Sequence, residues 1–290
     1  MDYTGERYIP GVEGGIAYEH VHRYAFACGL ISGKEVLDIA CGEGYGSSLL
    51  AKRAKGVIGV DISDEAISHA IRKYGNQKNL EFRVGSCTDM PCADESFDIV
   101  VSFETIEHIA GQKRMLDEVK RVLRKPGILI ISSPNKKTNS DNTGLRNEFH
   151  IRELYLAEFA NLLHSRFKYV NMMGQRLTLS SYMWPLDLGE SKGSSGFVHF
   201  SGDYSGINVS TPPFDPLFFI AICSNAGNQD ENRINASLYT DRNDSLYTYF
   251  TGLSDRLTEA LHYEAILNSW SWKITAPLRW LRRKLWDNSE

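Results

Sequence analysis

The sequence predicts a doubly wound α/β fold, with seven strands in one sheet and helices on both faces. Three observations carry that prediction. Short apolar runs at 36–40, 57–61, 80–84, 97–103 and 127–132 alternate with helical segments at about 45–54, 64–74 and 113–124. Strand–helix alternation of this kind implies a parallel sheet. A glycine turn, Gly42-Glu-Gly-Tyr-Gly46, joins the first strand to its helix, and the second strand runs out at an acid, Asp61.

The elements follow in order. Residues 16–31 read as a helix in an N-terminal cap (1–33) that could lie across a ligand pocket. The main domain is expected over 34–224. After Pro134 comes a polar loop, Lys136 to Asn147, then a helix expected from about Ile151 to Leu163; 167–173 and 217–223 read as closing strands. Between those strands lies an insertion, 175–216, rich in Gly, Ser and aromatic residues, with Gly189–Gly196 at its centre. A loop this long in a compact domain is usually functional or disordered. Its natural place is over the carboxyl ends of the strands, as a lid on the acceptor side. A plain surface excursion explains it nearly as well. Residues 225–245 read as a linker, and 246–290 as an amphipathic helical tail.

Bulk properties narrow the function. A chain of 290 residues, 42% hydrophobic, supports one large domain with an appendage and a sizeable core. A net charge of −4 argues against general nucleic-acid binding, which needs a basic footprint. The five cysteines (Cys28, Cys41, Cys87, Cys92 and Cys223) are scattered and lack Cys-x-x-Cys spacing, so neither a zinc site nor a disulfide framework follows. The first residues lack the basic and apolar regions of a signal peptide. No apolar run approaches the roughly 18 residues that span a bilayer. A cytoplasmic location is the expectation.

The glycine turn is the most informative stretch. It lets a ligand lie against bare backbone N–H groups beside a helix N-terminus. The dinucleotide fingerprint G-x-G-x-x-G fails here, because its third glycine would fall at Ser47 or Leu49. Asp38, just before the glycines, would repel a pyrophosphate and attract an ammonium or sulfonium group. Asp61 is placed to accept hydrogen bonds from ribose hydroxyls. A sugar-bearing, positively charged cofactor without phosphate fits both acids.

That combination resembles the class I S-adenosylmethionine-dependent methyltransferases. Leu37-Asp-Ile-Ala-Cys-Gly-Glu-Gly44 matches their first motif and Asp61 their second acidic position. The likeness continues through Val84-Gly-Ser-Cys-Thr-Asp-Met-Pro91, Ser96-Phe-Asp-Ile-Val-Val-Ser-Phe103 and Leu123-Arg-Lys-Pro-Gly127, covering residues 34–172 in all. The resemblance implies a Rossmann-like seven-stranded sheet with S-adenosylmethionine as cofactor. It implies contacts from Asp38, Ala40, Gly42, Gly44, Asp61, Ile62, Ser86, Cys87 and Phe103. Ser86 stands where the family often has an acid for the adenine amino group, so that role passes to Asp89 or to backbone. The bland alternative is a nucleotide-binding-like fold with a dead site.

Strand 97–103 leads into Glu104-Thr-Ile-Glu107-His108, and His150 stands in Asn147-Glu-Phe-His-Ile-Arg-Glu153. If the first segment opens a helix, spacings of three and four put Glu104, Glu107 and His108 on one face. Both segments emerge on the carboxyl edge of a doubly wound sheet. Two carboxylates and two imidazoles converging there could hold a divalent ion, Mg²⁺ or Mn²⁺. The set resembles the site of small-RNA 2′-hydroxyl methyltransferases and ubiquinone-pathway O-methyltransferases, which share Glu-x-x-Glu-His and a later histidine. A bound cation would activate a sugar hydroxyl. A metal-free site with His108 or His150 as general base, oriented by a glutamate such as Glu107, is the competing reading. An ordinary helix start, its acids favoured by the helix dipole, is the structural one.

The N-terminal Thr4-Gly-Glu-Arg-Tyr-Ile-Pro10 and Tyr18-Glu-His-Val-His-Arg-Tyr24 resemble the start of bacterial methyltransferases associated with surface-polysaccharide synthesis. In that likeness Arg23 meets the cofactor carboxylate and Tyr8 covers its methionine portion, although helix packing explains these residues about as well. The tail, Ser269 to Trp286, would set Ile274, Leu278, Leu281 and Leu285 opposite Arg279, Arg282 and Arg283 on a helix. Such a tail suits the inner-membrane surface, or docking on a partner or the protein's own core. It also resembles segments of bacterial polysaccharide glycosyltransferases. The expectation is therefore an O-methyltransferase acting on a sugar or glycan acceptor at a surface polysaccharide or its precursor. A phenolic or ribose acceptor, and a non-enzymatic scaffold for a glycosyltransferase, are the rivals.

Overall fold

Seven strands form one sheet in the order β3-β2-β1-β4-β5-β9-β6 in a computed structural model of the chain. The structure describes residues 15–178, 200–203, 206–209, 215–226, 237–239, 245–269 and 272–273. The strands are β1 (Glu35–Ile39), β2 (Gly56–Asp61), β3 (Leu80–Val84), β4 (Phe97–Ser102), β5 (Leu123–Pro134), β6 (Tyr169–Gln175) and β9 (Phe218–Ser224). The helices are α1 (Gly15–Cys28), α2 (Tyr45–Ala51), α3 (Asp64–Tyr74), α4 (Gln112–Val122) and α5 (Leu156–His164). A separate ribbon, β7 (Phe200–Asp203) with β8 (Gly206–Val209), falls within the expected insertion. Gly189–Gly196 lies outside the described residues.

The first five strands pair in parallel, and β9 runs antiparallel between β5 and β6. Alternation along each strand sends successive side chains to opposite faces. On β1, Leu37 and Ile39 join a core with Met115 and Leu116 of α4 and with Phe159 and Leu163 of α5. Val36 belongs to the other core, with Tyr24, Phe26, Leu50 and Ala70 from α1, α2 and α3. Asp38 shares that second face, which is why it meets α1 and α2. The strand order reverses between β1 and β4, so the crevice for a ligand opens where the β1–α2 turn and the segment after β4 leave the sheet.

Two elements beside the candidate site differ from the sequence expectation. No α-helix opens at Glu104: its φ is +50°, and only a 3₁₀ turn, Ile106–His108, forms before α4. The shared helix face expected for Glu104, Glu107 and His108 does not exist. The helix expected from Ile151 starts instead at Leu156. Its would-be first turn is spent elsewhere, because the Ile151 and Arg152 N–H groups both donate to the Glu107 carbonyl (2.9 and 3.0 Å).

By its internal contacts the chain divides into two units, Met1–Tyr239 and Thr240–Glu290. The second contains α6 (Ser245–Asn268), on which Leu253, Leu257 and Leu261 are exposed at four-residue spacing. No described helix is long and apolar enough to cross a membrane. Most of the aromatic and basic tail lies outside the described residues.

Candidate active site

The β1–α2 turn is shaped by glycines for two different reasons. Gly42 (φ +55°) takes a left-handed conformation with open space where a Cβ would stand, leaving its backbone face bare. Gly44 (φ +80°) has no such space, since a Cβ there would lie 2.6 Å from the Phe82 ring. Ala40 is also left-handed, at φ +59°. The two acids flank this turn. Asp61 accepts the Gly42 N–H through Oδ2 and the Ser63 N–H through Oδ1, both at 2.9 Å. Beside it Ile62 is 73% exposed, an apolar surface next to a polar one.

Asp38 is buried and accepts hydrogen bonds from the Ser47 hydroxyl (2.6 Å) and the Tyr24 hydroxyl (3.3 Å). Burial drives its carboxyl up to about 7, against the pull of those two hydrogen bonds. Glu43, inside the turn, is also buried, and neither carboxylate oxygen has a hydrogen-bond partner; His69 Nε2 stands 3.6 Å away. Ser86 Oγ pairs with Thr88 Oγ1 at 2.9 Å, and Ser86 forms a bridge to Asp89. Cys87 is half-buried, its thiol pushed up by burial. Phe103 packs edge-on against Tyr24, with ring centroids 5.1 Å apart.

The second part of the site lies after β4. The segment 147–154 is stitched onto the 104–108 turn, which brings residues some forty positions apart into contact. Phe149 C=O accepts from His108 Nδ1 (2.9 Å), the Glu107 carbonyl takes two N–H groups, and Gln112 Nε2 donates to the carbonyls of Ile106 and Arg152 (2.9 and 3.2 Å). Among the described residues, Glu107, His108 and His150 can each offer one ligand atom within 4.8 Å of the others. Glu107 is fully buried and neither of its oxygens has a hydrogen-bond partner. Burial, reinforced by the charge of Glu104, holds its carboxyl well above the usual carboxylate range. His108 Nε2 lies 3.8 Å from Glu107 Oε1, and the two imidazole rings meet edge to face at 4.9 Å.

Glu104 stands apart from that group. Ser132 Oγ accepts its N–H (2.9 Å) and donates to its Oε1 (2.6 Å), while Arg23 approaches to 3.9 Å. Arg23 is a buried guanidinium that donates to Gln175 Oε1 (2.8 Å) and lies 4.8 Å from the Phe218 ring centroid. Its Nε and Nη2 have no hydrogen-bond partner. Glu19, one turn earlier on α1, is pushed up to about 7 by burial, with Arg23 opposing and Glu104 adding to the shift.

The structure thus gathers Glu107, His108 and His150 around one point, and Gly42, Asp61 and Ile62 around the neighbouring turn. Tyr8 lies outside the described residues. Sequence reasoning passed over Ser132, Ser140, Asn147 and Glu153, and gave Tyr24 and Ser47 no role. Only Tyr24 and Ser47 carried a signal, one in the aromatic N-terminal run and the other where a third glycine was sought.

A methyltransferase-domain family matches residues 30–177, just over half of the chain. The chain belongs to the class I S-adenosylmethionine-dependent methyltransferases. A protein of Mycolicibacterium smegmatis assigned as an S-adenosylmethionine-dependent methyltransferase is 38% identical over 172 residues, covering 57% of this chain and 64% of that relative. A Mycobacterium tuberculosis protein of the same assignment is 37% identical over 166 residues, covering 56% and 60%. The chain therefore spans under two thirds of the curated relatives it matches. Among solved structures, the methyltransferase in complex with the Haloferax volcanii Trm112 activator aligns with a TM-score of 0.52 at 19% identity, over 74% of this chain and 92% of that one. The YcgJ protein of Bacillus subtilis aligns at 0.50 and 19% identity, over 72% and 100%. Both are likenesses of fold alone.

Proposed function

We propose that the protein transfers a methyl group from S-adenosylmethionine to a hydroxyl oxygen of a sugar acceptor, in a surface polysaccharide or its precursor. A divalent cation assists. The observation that carries the cation is the cluster of Glu107, His108 and His150: a buried carboxylate faces two imidazoles, and neither of its oxygens has a hydrogen-bond donor. Buried polar atoms of this kind are costly unless something positive meets them. The mixed carboxylate–imidazole set suits Mn²⁺ or Fe²⁺ better than Mg²⁺.

The residues of the β1–α2 turn fit the cofactor. Gly42 offers bare backbone, Asp61 a carboxylate for ribose hydroxyls, and Ile62 an exposed apolar face for a base. Arg23 brings two unpartnered guanidinium nitrogens for a carboxylate. When bound, the cofactor supplies an electrophilic methyl and the cation lowers the pKa of a hydroxyl that is otherwise a poor nucleophile. The chain's own part is to place that hydroxyl in line with the methyl and to take up its proton as the carbon–oxygen bond forms and the carbon–sulfur bond breaks, leaving S-adenosylhomocysteine. The sugar acceptor rests on the sequence resemblance of the two ends, as does a tail that meets a glycosyltransferase or the inner face of the membrane.

One observation favours a second reading, in which no cation is needed. His150 Nδ1 is held by the Glu153 carboxylate, the arrangement that makes an imidazole a general base. Methyl transfer to a panel of sugar and glycan acceptors, with EDTA and then with added Mg²⁺ or Mn²⁺, separates the two. Loss in EDTA and recovery with metal supports the cation. Undiminished turnover in EDTA leaves His150 as the base, and turnover only on phenols or ribose ends removes the sugar.

A further inference from the structure

The orientation of His150 is determined by a chain of hydrogen bonds that can be read from one end to the other. The Phe149 N–H donates to Asn147 Oδ1 at 3.0 Å. That bond assigns the Asn147 amide, because only its oxygen can accept. The Asn147 NH₂ therefore points at His150 Nε2, 3.0 Å away, and donates to it. A ring nitrogen that accepts carries a lone pair, so the proton of a neutral His150 sits on Nδ1. Nδ1 in turn meets Glu153 Oε1, which as a carboxylate can only accept. The other Glu153 oxygen takes the Ser140 hydroxyl at 2.5 Å.

The two ends of this chain differ in how firmly they are held. Glu153 has a buried side chain (8% exposed) anchored on both oxygens, and His150 is 11% exposed. Asn147 is exposed and lies in a run, 141–148, whose residues are all exposed. One side of the imidazole is built in, and the other is covered by a replaceable group.

We propose that Glu153 is a positioning residue that fixes the His150 tautomer, and that the Asn147 amide caps the Nε2 lone pair until a divalent cation takes its place. The proposal rests on the cation reading of the Glu107–His108–His150 cluster. His108 is oriented by the same logic: its Nδ1 donates to the Phe149 carbonyl, which leaves Nε2 as the lone-pair atom on the side of Glu107. A carboxylate behind a metal-bound imidazole is a recurrent means of orienting the ring and raising its basicity. Here it is supplied by a residue three positions from the ligand and by Ser140, in the π-helical turn after β5 (Lys137–Asp141). The cap means that the cation must displace one amide hydrogen bond. Binding is then coupled to movement of Asn147 within the exposed 141–148 segment.

The test uses the full chain, labelled with ¹⁵N-histidine and stripped with EDTA, and Mn²⁺ as the probe. Two-bond proton–nitrogen correlation reads each tautomer, and the His150 signals are those missing from His150→Gln. The wild type should show His150 with its proton on Nδ1. Asn147→Ala should keep that tautomer and bind Mn²⁺ about fivefold more tightly, the worth of one neutral hydrogen bond. Glu153→Gln should show mixed tautomers and bind Mn²⁺ roughly 10–100-fold more weakly. A wild-type proton on Nε2, or an Asn147→Ala protein that binds Mn²⁺ no more tightly, overturns the proposal. Absence of Mn²⁺ binding with the expected tautomer sinks the cation reading and the cap together. Mn²⁺ binding with the opposite tautomer sinks this proposal alone.

Discussion

Gly46 and Tyr24 compete for one volume: a Cβ on Gly46 would stand 1.9 Å from the Tyr24 ring. The glycine thus exists for the tyrosine as much as for a ligand, because the ring must come close against the turn to bring its hydroxyl to Asp38. Gly46→Ala should lower stability by about 1–3 kcal/mol, as overpacking does. It should also weaken S-adenosylhomocysteine binding, since the turn moves with the ring. Urea unfolding and calorimetric titration on one preparation check both halves; unchanged unfolding would show that Tyr24 has room to yield.

Asp61 ties the turn to the end of β2 through the Gly42 N–H and caps Ser63. Asp61→Ala removes both bonds together with the carboxylate proposed to meet the ribose. Cofactor affinity should fall by at least tenfold, given roughly 1.5–3 kcal/mol for a hydrogen bond to a charged group. Titration with S-adenosylhomocysteine measures this, with circular dichroism as the control for folding.

Asp38 makes a pH prediction with a definite sign. Its carboxyl is raised from 3.8 to about 7 in the folded chain, so between those values the folded state holds a proton that the unfolded state has released. The stability it contributes is present at low pH and is lost as pH rises from about 4 through about 7. Compared with Asp38→Asn, the wild type should lose ground steadily over that window, by roughly 1.4 kcal/mol for each unit of difference in pKa. Unfolding midpoints of the pair at several pH values give the difference directly; a gap independent of pH would disprove the shift.

Glu107 should separate stability from function. A fully buried carboxylate without a hydrogen bond destabilises the protein that carries it. Glu107→Gln should therefore melt at the wild-type temperature or above it, while Mn²⁺ binding and methyl transfer fall by two orders of magnitude or more, an order-of-magnitude expectation for a lost charged ligand. A variant that unfolds at lower temperature would mark the carboxylate as structural.

Ser132 holds Glu104 in its left-handed conformation by accepting its N–H and donating to its carboxylate. Non-glycine residues reach that region only when their surroundings enforce it. Ser132→Ala should cost about 1–3 kcal/mol and release Glu104 toward Arg23. Chemical denaturation reads the first effect, and the S-adenosylhomocysteine affinity reads whether Arg23 has been drawn from the cofactor side.

The seven strands of the large sheet, the glycine turn, its two acids and the family were legible before any fold was known, because each is a local pattern. Short apolar runs, glycines at fixed spacing and an acid at a strand end declare themselves without knowledge of distant partners. The reading of Glu104-Thr-Ile-Glu107-His108 as a helix face failed for the same reason it was attractive. Spacing is a helical signal only if the backbone is helical, and here Ser132, twenty-eight positions away, and the Ile151 and Arg152 N–H groups dictate another path. That Glu107, His108 and His150 converge, that Glu104 turns to Ser132 and Arg23, and that Asn147 and Glu153 bracket one imidazole became visible in the folded chain alone. Hydrogen bonds from segments far apart in the chain, Ser132 to Glu104 and His108 to Phe149, set these positions, and such bonds depend on which groups the sheet brings within about 3 Å of one another.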